Sequence, residues 1–126
     1  MFRVQKEGLM GRSKFPYQEW EWVNTGLKLG GPNFIITPAG KLIIGTRTFS
    51  GDGSHTGLLS MDAEGHFRLL IELPSGGDTS YPGVLIFKNK LLVSYYSSHE
   101  GKTSIYLSQI PMKEVKKLLW NVHSQE

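Results

Sequence analysis

Short apolar runs separated by glycine-bearing and polar turns dominate this chain. Residues 84–87 and 91–96 are rich in β-branched and aromatic side chains and too short for helices, and Lys88-Asn89-Lys90 separates them. This pattern predicts an antiparallel hairpin. The polar segment 76–81 before it predicts a loop that ends at Tyr81.

The same pattern occurs upstream. Pro32 corresponds to Pro82, and residues 41–44 (KLII) correspond to residues 90–93 (KLLV), at an offset of about 50 residues. Strand-rich units that recur at about 40 to 50 residues are typical of β-propeller blades, whereas helical repeats would show a 3.6-residue period. The sequence therefore predicts an all-β protein, an incomplete β-propeller with about two blades of four antiparallel strands each.

We interpret residues 1–126 as a single domain. Residues 1–24 are predicted to be the end strands of a preceding blade, 25–73 a complete blade and 74–110 a partial last blade. The predicted strands are 8–13, 18–24, 32–37, 41–49, 56–62, 66–73, 83–87, 90–97 and 103–110. Residues 111–126 form the tail, in which Val115, Leu118, Leu119 and Val122 recur at helical spacing and predict a short helix.

Two blades cannot close a ring, and each blade depends on a neighbour to bury its apolar faces. We therefore expect either a fragment of a longer protein or self-association into a homo-oligomer that covers the open blade faces.

Successive turns of a meander alternate between the two ends of a sheet. Segments 25–31, 49–55, 73–81 and 97–102 should lie on one rim, and only tight turns, such as 38–40 and 63–65, on the other. We expect function on the rim with longer loops. Mixed acids, bases and a tyrosine on this rim suit a polyol or carboxylate ligand; they are Arg47, Asp52, His55, Asp78, Tyr81, His99 and Glu100.

Structural roles compete with these assignments. For Asp78 and Asp52 we favour bonding within their own loops, as aspartate commonly does, while Tyr81 is equally consistent with a packed ring and with a functional phenol. Arg47 ends an apolar strand, which favours a functional role. Trp20 and Trp22, which alternate with Glu19 and Glu21, are interpreted as core rather than as a sugar-stacking platform.

Composition narrows the function classes. The net charge of +3 comes from scattered lysines and arginines with no aromatic interleaving, which argues against nucleic acid. The chain has no cysteine, its four histidines are dispersed, and we expect neither a metal site nor a cofactor. Residues 1–7 lack the apolar core of a signal peptide, and no run approaches membrane-spanning length, so we expect no membrane insertion.

Three segments carry a family resemblance: GGPNFIITPAGKLIIGTR (30–47), ELPSGGDTSYPGVLIFKNKLLVSYYSSHEGKTSIYLSQI (72–110) and GRSKFPYQEWEW (11–22). The chain resembles the last two blades of sialidase-like, six-bladed β-propeller proteins over residues 8–110. The GGDTSYPG and SYYSSHEGKTSIY segments are the most specific part. Members of that family are often exported, which leaves the location of this chain open.

The resemblance implies a glycoside hydrolase site. Tyr81 matches the catalytic tyrosine nucleophile, and Arg47 matches an arginine that grips the sugar carboxylate. Asp78, His99 and Glu100 would then contribute to substrate binding. Two departures accompany the match: Pro82 stands where the family usually has a small hydroxyl residue, and the Asp-box turn does not occur.

In the family, further arginines, the glutamate that activates the tyrosine and the acid/base aspartate lie on earlier blades. The expected function is therefore binding of carbohydrate or another small polar ligand, with catalysis incomplete in this chain. The alternative is a non-enzymatic β-repeat module that self-associates through its open blade faces.

Overall fold

A computed structural model describes residues 1–3 and 7–124, which form antiparallel sheets followed by a helix. The first sheet contains β1 (Phe2–Arg3), β2 (Leu9–Arg12) and β3 (Glu21–Asn24). The central sheet contains β4 (Asn33–Ile36), β5 (Leu42–Ser50), β6 (Gly53–Met61) and β7 (Phe67–Glu72). The third sheet contains β8 (Thr79–Phe87), β9 (Lys90–Ser97) and β10 (Ser104–Pro111), and helix α1 (Met112–Ser124) follows. The prediction of an all-β chain with a short C-terminal helix is confirmed.

Tight turns join the strands where the sequence predicts them. Lys88 and Asn89, between β8 and β9, have φ angles of 49° and 65°. Turns with two left-handed central residues match the twist of the flanking strands. Between β6 and β7, Asp62 Oδ1 accepts hydrogen bonds from the backbone amides of Glu64 and His66, each at 2.9 Å. These local interactions fix the register of both hairpins.

The central sheet is apolar on both faces. Ile43 and Ile44 are neighbours on β5 with side chains on opposite faces, and both are 0% exposed. Ile43 belongs to a core with Leu91 and Val93 of the third sheet, whereas Ile44 belongs to a core with Met10 of the first sheet. The central sheet therefore lies between the other two in a three-layer stack. Within the described ranges the sheets do not close into a barrel.

β5 and β8 approach each other closely at Gly45. A Cβ atom there would lie 2.8 Å from Pro82 Cγ and 3.2 Å from Val84 Cγ2. Glycine in a strand commonly marks a site where another group comes close to the backbone, and here that group is the Pro82 ring. This contact holds the inner part of the third sheet against the central sheet.

Helix α1 covers the other margin of the same interface. It contacts β7, β9 and β10, and Met112 and Val115 are buried in the core shared by the central and third sheets. Leu119 packs against that core as well. The predicted apolar stripe is thus found at Val115 and Leu119, while Val122 lies outside the described side chains. Nowhere in the described part of the chain is a helix long and apolar enough to cross a membrane.

The loop predicted over residues 76–81 is shorter than expected. Thr79 and Ser80 belong to β8, pair with β9 and are 0% exposed. Their hydroxyl groups have buried partners, because Thr79 Oγ1 lies 2.7 Å from Thr56 Oγ1 and Ser80 Oγ donates to Gly30 O across 2.6 Å. Satisfied hydroxyl groups can enter a core at little cost.

The expected distribution of long loops was wrong at both ends of the stack. Ser50 pairs with Gly53, so the segment predicted as a long loop over 49–55 is a tight turn. At the opposite end, residues 13–20 form a long connection between β2 and β3. A cleft of about 1820 Å³ lies there, lined by this connection and by the turns at Gly40 and Asp62. That end therefore carries more than tight turns.

β3 begins at Glu21, later than the predicted start at residue 18. The rings of Trp20 and Trp22 stack with centroids 5.7 Å apart. Trp22 is 39% exposed and Trp20 is half-buried. The two tryptophans are thus surface side chains packed on each other rather than the core residues that the sequence suggested.

Candidate functional site

β8 is irregular at Tyr81. Its pairing with β9 shifts register between Ser80 and Gly83, so an extra residue bulges from the ladder. Tyr81 has a φ of 50°, which is uncommon for a bulky residue, and it is 70% exposed. Backbone strain of this kind is often found at functional sites. The bulge presents the phenol to solvent at the end of the strand.

Tyr96 connects Tyr81 to a carboxylate. The two tyrosine rings stack with centroids 6.1 Å apart and planes 22° from parallel. The Tyr96 hydroxyl donates to Asp78 Oδ1 across 2.7 Å. This hydrogen bond to Asp78 raises the pKa of the Tyr96 hydroxyl, burial adds to the rise, and the Arg47 guanidinium opposes it. Tyr96 therefore contacts Tyr81 and Asp78 directly, and the charge of Arg47 acts on its hydroxyl.

Arg47 is fixed next to the same residues. Its Nε donates to Thr79 O across 2.9 Å, and its backbone amide donates to Gly30 O across 2.9 Å. A Cβ atom at Gly30 would lie 3.0 Å from Arg47 Cβ, and one at Gly31 would lie 3.0 Å from Tyr81 Cδ1. The backbone of this glycine pair thus lies against both side chains. We call Arg47, Asp78, Tyr81 and Tyr96 the Tyr81 cluster.

The cluster combines a cation, a carboxylate and an exposed aromatic ring. Such a set offers charge, hydrogen bonds and a stacking surface to a small polar ligand. Within the described residues no side chain hydrogen-bonds the Tyr81 hydroxyl. Asp78, the carboxylate of the cluster, is engaged by Tyr96 instead. The predicted role of Asp78 as a loop-bonding residue therefore gives way to a contact between side chains.

His99 and Glu100 make their contacts in another group. His99 Nδ1 lies 2.8 Å from Ser97 Oγ, and the His99 ring lies 4.8 Å from the Tyr106 ring. The Tyr106 hydroxyl donates to Glu100 Oε1, and this hydrogen bond raises the pKa of Tyr106. Ser97 is 0% exposed, so its hydroxyl is a structural group rather than an accessible nucleophile. A binding role for His99 and Glu100 stays a prediction.

Among the residues that the structure describes, two groups have the spacing of metal ligands, with ligand atoms within 4.8 Å of one another: Asp52, His55 and Glu72, and Asp62, Glu64 and His66. Both ring nitrogens of His55 face oxygen atoms, at Asp52 Oδ1 and Ser75 O. In the second group, Asp62 already accepts hydrogen bonds from two backbone amides and from the His66 ring. We assign no metal site to either group.

Tyr96 and the buried hydroxyl groups of β8 were missed by the sequence reasoning. The alternation of β9 is the signal for Tyr96. Tyr95 is 3% exposed and its hydroxyl donates to Pro74 O, whereas Tyr96 lies on the opposite face. A strand with tyrosines at adjacent positions thus places one in the core and one beside the bulge.

Comparisons with protein-family models, curated proteins and solved structures give no match.

Proposed function

We propose that this chain is the C-terminal portion of a sialidase-like β-propeller and that its Tyr81 cluster binds an anionic glycoside. The stacked sheets support this proposal. β4 and β8 correspond in the sequence repeat, and they contact each other across the interface between the central and third sheets. Asn33 Nδ2 donates to Pro82 O between them across 3.1 Å. Propeller blades pack face to face in this manner.

The observation that carries the proposal is the convergence of Arg47 and Tyr81 on Tyr96. The Arg47 guanidinium uses its Nε for Thr79 O, and its terminal nitrogens remain suited to pairing with a carboxylate. The exposed face of Tyr81 offers an apolar contact for a sugar ring. A carboxylated glycoside engages both groups at once.

Hydrolysis is not expected from this chain alone. A phenol has a pKa of about 10 and attacks only when a neighbouring base or a lowered pKa activates it. No carboxylate of the described residues bonds the Tyr81 hydroxyl, and Asp78 is engaged by Tyr96. The bases and acids that complete the reaction would come from further blades.

The proposal is tested by titrating the protein with a methyl sialoside and monitoring its backbone amide chemical shifts by NMR. We expect shifts at residues 78–82 and 96, lost in Arg47→Ala at an unchanged melting temperature. Arg12→Ala is the matched control, because Arg12 is an exposed arginine paired with Glu21 in the first sheet. Equal affinity for the neutral methyl galactoside would show that the site does not select the carboxylate, and no shifts at all would show that it binds no glycoside; either result contradicts the proposal.

The same protein sample tests whether the chain hydrolyses a sialoside. We expect no release of product from a reporter sialoside. Release that disappears in Tyr81→Phe would show that this chain is catalytically complete.

A second candidate function is supported by the outer face of the third sheet. Its exposed apolar side chains are Leu85, Phe87, Ile105 and Leu107, at 56%, 54%, 79% and 59% exposure. β10 is also the edge strand of its sheet. Large exposed apolar patches and long free edges commonly mark interaction surfaces. The chain would then be a non-enzymatic module that self-associates.

Sedimentation equilibrium separates the two candidates. Self-association predicts oligomers that dissociate in Leu107→Lys and persist in Arg47→Ala. A monomer over the whole accessible concentration range contradicts the second candidate and leaves the first unaffected.

A further inference from the structure

His55 joins three segments of the chain near the Tyr81 cluster. It lies on β6, and its side chain is 14% exposed. Its Nε2 lies 2.9 Å from Asp52 Oδ1 on the turn before β6. Its Nδ1 lies 2.8 Å from Ser75 O and 3.3 Å from Glu72 Oε1 at the end of β7.

These partners define the protonation state that fits the geometry. A backbone carbonyl and a carboxylate accept hydrogen bonds and cannot donate them. Both ring nitrogens of His55 must therefore carry a proton to bond Ser75 O and Asp52 Oδ1 at once. The neutral ring has a single N–H group, so one of the two contacts then sets a lone pair against an oxygen. Asp52 and Glu72 are the charged groups that face the ring, and the hydrogen bond to Asp52 raises the pKa of His55.

Ser75 belongs to the segment that leads into the site. Residues 73–78 connect β7 to β8. Asp78, the last of them, accepts a hydrogen bond from the Tyr96 hydroxyl. The segment is also bonded to β9 and its following loop, because Ser97 Oγ accepts from the Gly76 amide and Ser98 Oγ from the Asp78 amide. Two further contacts adjoin this segment: the Thr56 amide donates to Ser75 Oγ across 2.9 Å, and Ser97 Oγ lies 2.8 Å from His99 Nδ1. His55 is the imidazole that bonds the Ser75 carbonyl itself. A neutral ring that keeps its Nδ1 proton still donates to this carbonyl, but without the positive charge that strengthens the bond.

We propose that protonated His55 is a latch that holds residues 73–78 against the central sheet, and that its deprotonation loosens this segment and the position of Asp78. The effect on ligand affinity rests on the proposed function of the Tyr81 cluster, whereas the latch itself does not.

Amide hydrogen exchange of residues 75–78 tests the latch without a ligand. Protection factors, corrected for the intrinsic pH dependence of exchange, should fall about tenfold as the pH rises from about 5.5 to about 8.5, since the hydrogen bond from His55 to Ser75 O loses its charge assistance. In His55→Gln we expect low protection that is independent of pH. His66→Gln is the matched control, because His66 also pairs with an aspartate, Asp62, but lies at another turn. In this variant the protection of residues 75–78 should change with pH as it does in the wild type.

Asp52→Asn keeps the imidazole and removes the carboxylate that stabilises its protonated form. The midpoint of the change in protection should therefore move to lower pH. Protection that is independent of pH in the wild type, a wild-type profile in His55→Gln, or an unmoved midpoint in Asp52→Asn would each overturn the latch. A titrating segment in a chain that binds no sialoside would instead leave the latch standing and contradict the proposed function.

Discussion

The Tyr96 hydroxyl donates a 2.7 Å hydrogen bond to Asp78 Oδ1. Because the acceptor is a carboxylate, ionisation of Tyr96 would remove this hydrogen bond and place two negative charges side by side. The exposed phenol is thus Tyr81, whereas Tyr96 is bound to the neighbouring carboxylate.

We predict that Tyr96 ionises at higher pH than an ordinary tyrosine and that Asp78→Asn lowers its midpoint. The pKa of Tyr96 is raised by Asp78 in the folded chain. The associated stability is fully present below the unfolded value of about 10 and is lost as the pH rises through the folded pKa. Absorbance of tyrosinate measures the midpoint, and Tyr96→Phe identifies its share of the signal. An identical midpoint in wild type and Asp78→Asn would contradict the assignment.

Gly31→Ala should disturb the Tyr81 cluster. The backbone at Gly31 has a φ of 59°, and a Cβ atom would lie 2.9 Å from Ser80 Oγ and 3.0 Å from Tyr81 Cδ1. Gly40→Ala is the matched control, because Gly40 has a φ of 81° and nothing within 4 Å of an added Cβ. Both variants carry backbone strain of about 1 kcal/mol or more. Urea unfolding should show a larger loss of the free energy of unfolding for Gly31→Ala than for Gly40→Ala. Equal losses would show that the Tyr81 side chain moves aside without an energetic cost.

Ile43→Ala and Ile44→Ala should each lower the free energy of unfolding by about 2–5 kcal/mol. Both side chains are fully buried although they are sequence neighbours, because they fill the two different interfaces of the central sheet. Leu85→Ala, at a position 56% exposed on the third sheet, should cost much less in a monomeric sample. A small effect at either isoleucine would show that its interface is not formed.

We predict that valine substitutions at the two members of the buried Thr56–Thr79 pair lower the free energy of unfolding by different amounts. Thr79 Oγ1 donates to Tyr96 O across 2.7 Å, so the Thr56 hydroxyl must donate in the 2.7 Å contact between the two threonines. Thr79→Val therefore leaves a buried donor unpaired and should cost about 1–3 kcal/mol. Thr56→Val should cost less, because Thr79 keeps its acceptor. The double variant, measured by denaturant unfolding, should cost less than the sum, and strict additivity would contradict this hydrogen-bond order.

Features set by near neighbours were predictable from the sequence. The apolar run through Ile43 and Ile44, the turn at Lys88-Asn89 and the apolar spacing around Val115 all lie within a few residues. Each expresses the geometry of a strand, a turn or a helix that the local chain adopts. These segments agree with the observed elements.

Features that depend on distant partners were not predictable. Thr79 and Ser80 were predicted to lie in a loop because their side chains are polar, and the sequence does not show which distant groups they bond. The Ser80 hydroxyl donates to the carbonyl of Gly30, fifty positions away. The role of Tyr96 depends in the same way on Asp78 and Arg47. The sequence predicted strands over residues 8–13 and 18–24, with four residues between them, whereas the connection observed between β2 and β3 spans residues 13–20. Arg47, Asp78 and Tyr81, by contrast, were predicted on one rim and lie together.

Gly45 and helix α1 act at opposite margins of one interface. At Gly45 the absence of a side chain lets Pro82 reach the backbone of β5, and at the other margin Met112 and Val115 fill the gap. The interface between the central and third sheets is thus closed by the missing side chain of a glycine at one margin and by two helical side chains at the other. A larger residue at Gly45 would press on Pro82, the neighbour of Tyr81 in the chain, so a substitution in β5 can displace the bulge without altering any residue of the Tyr81 cluster.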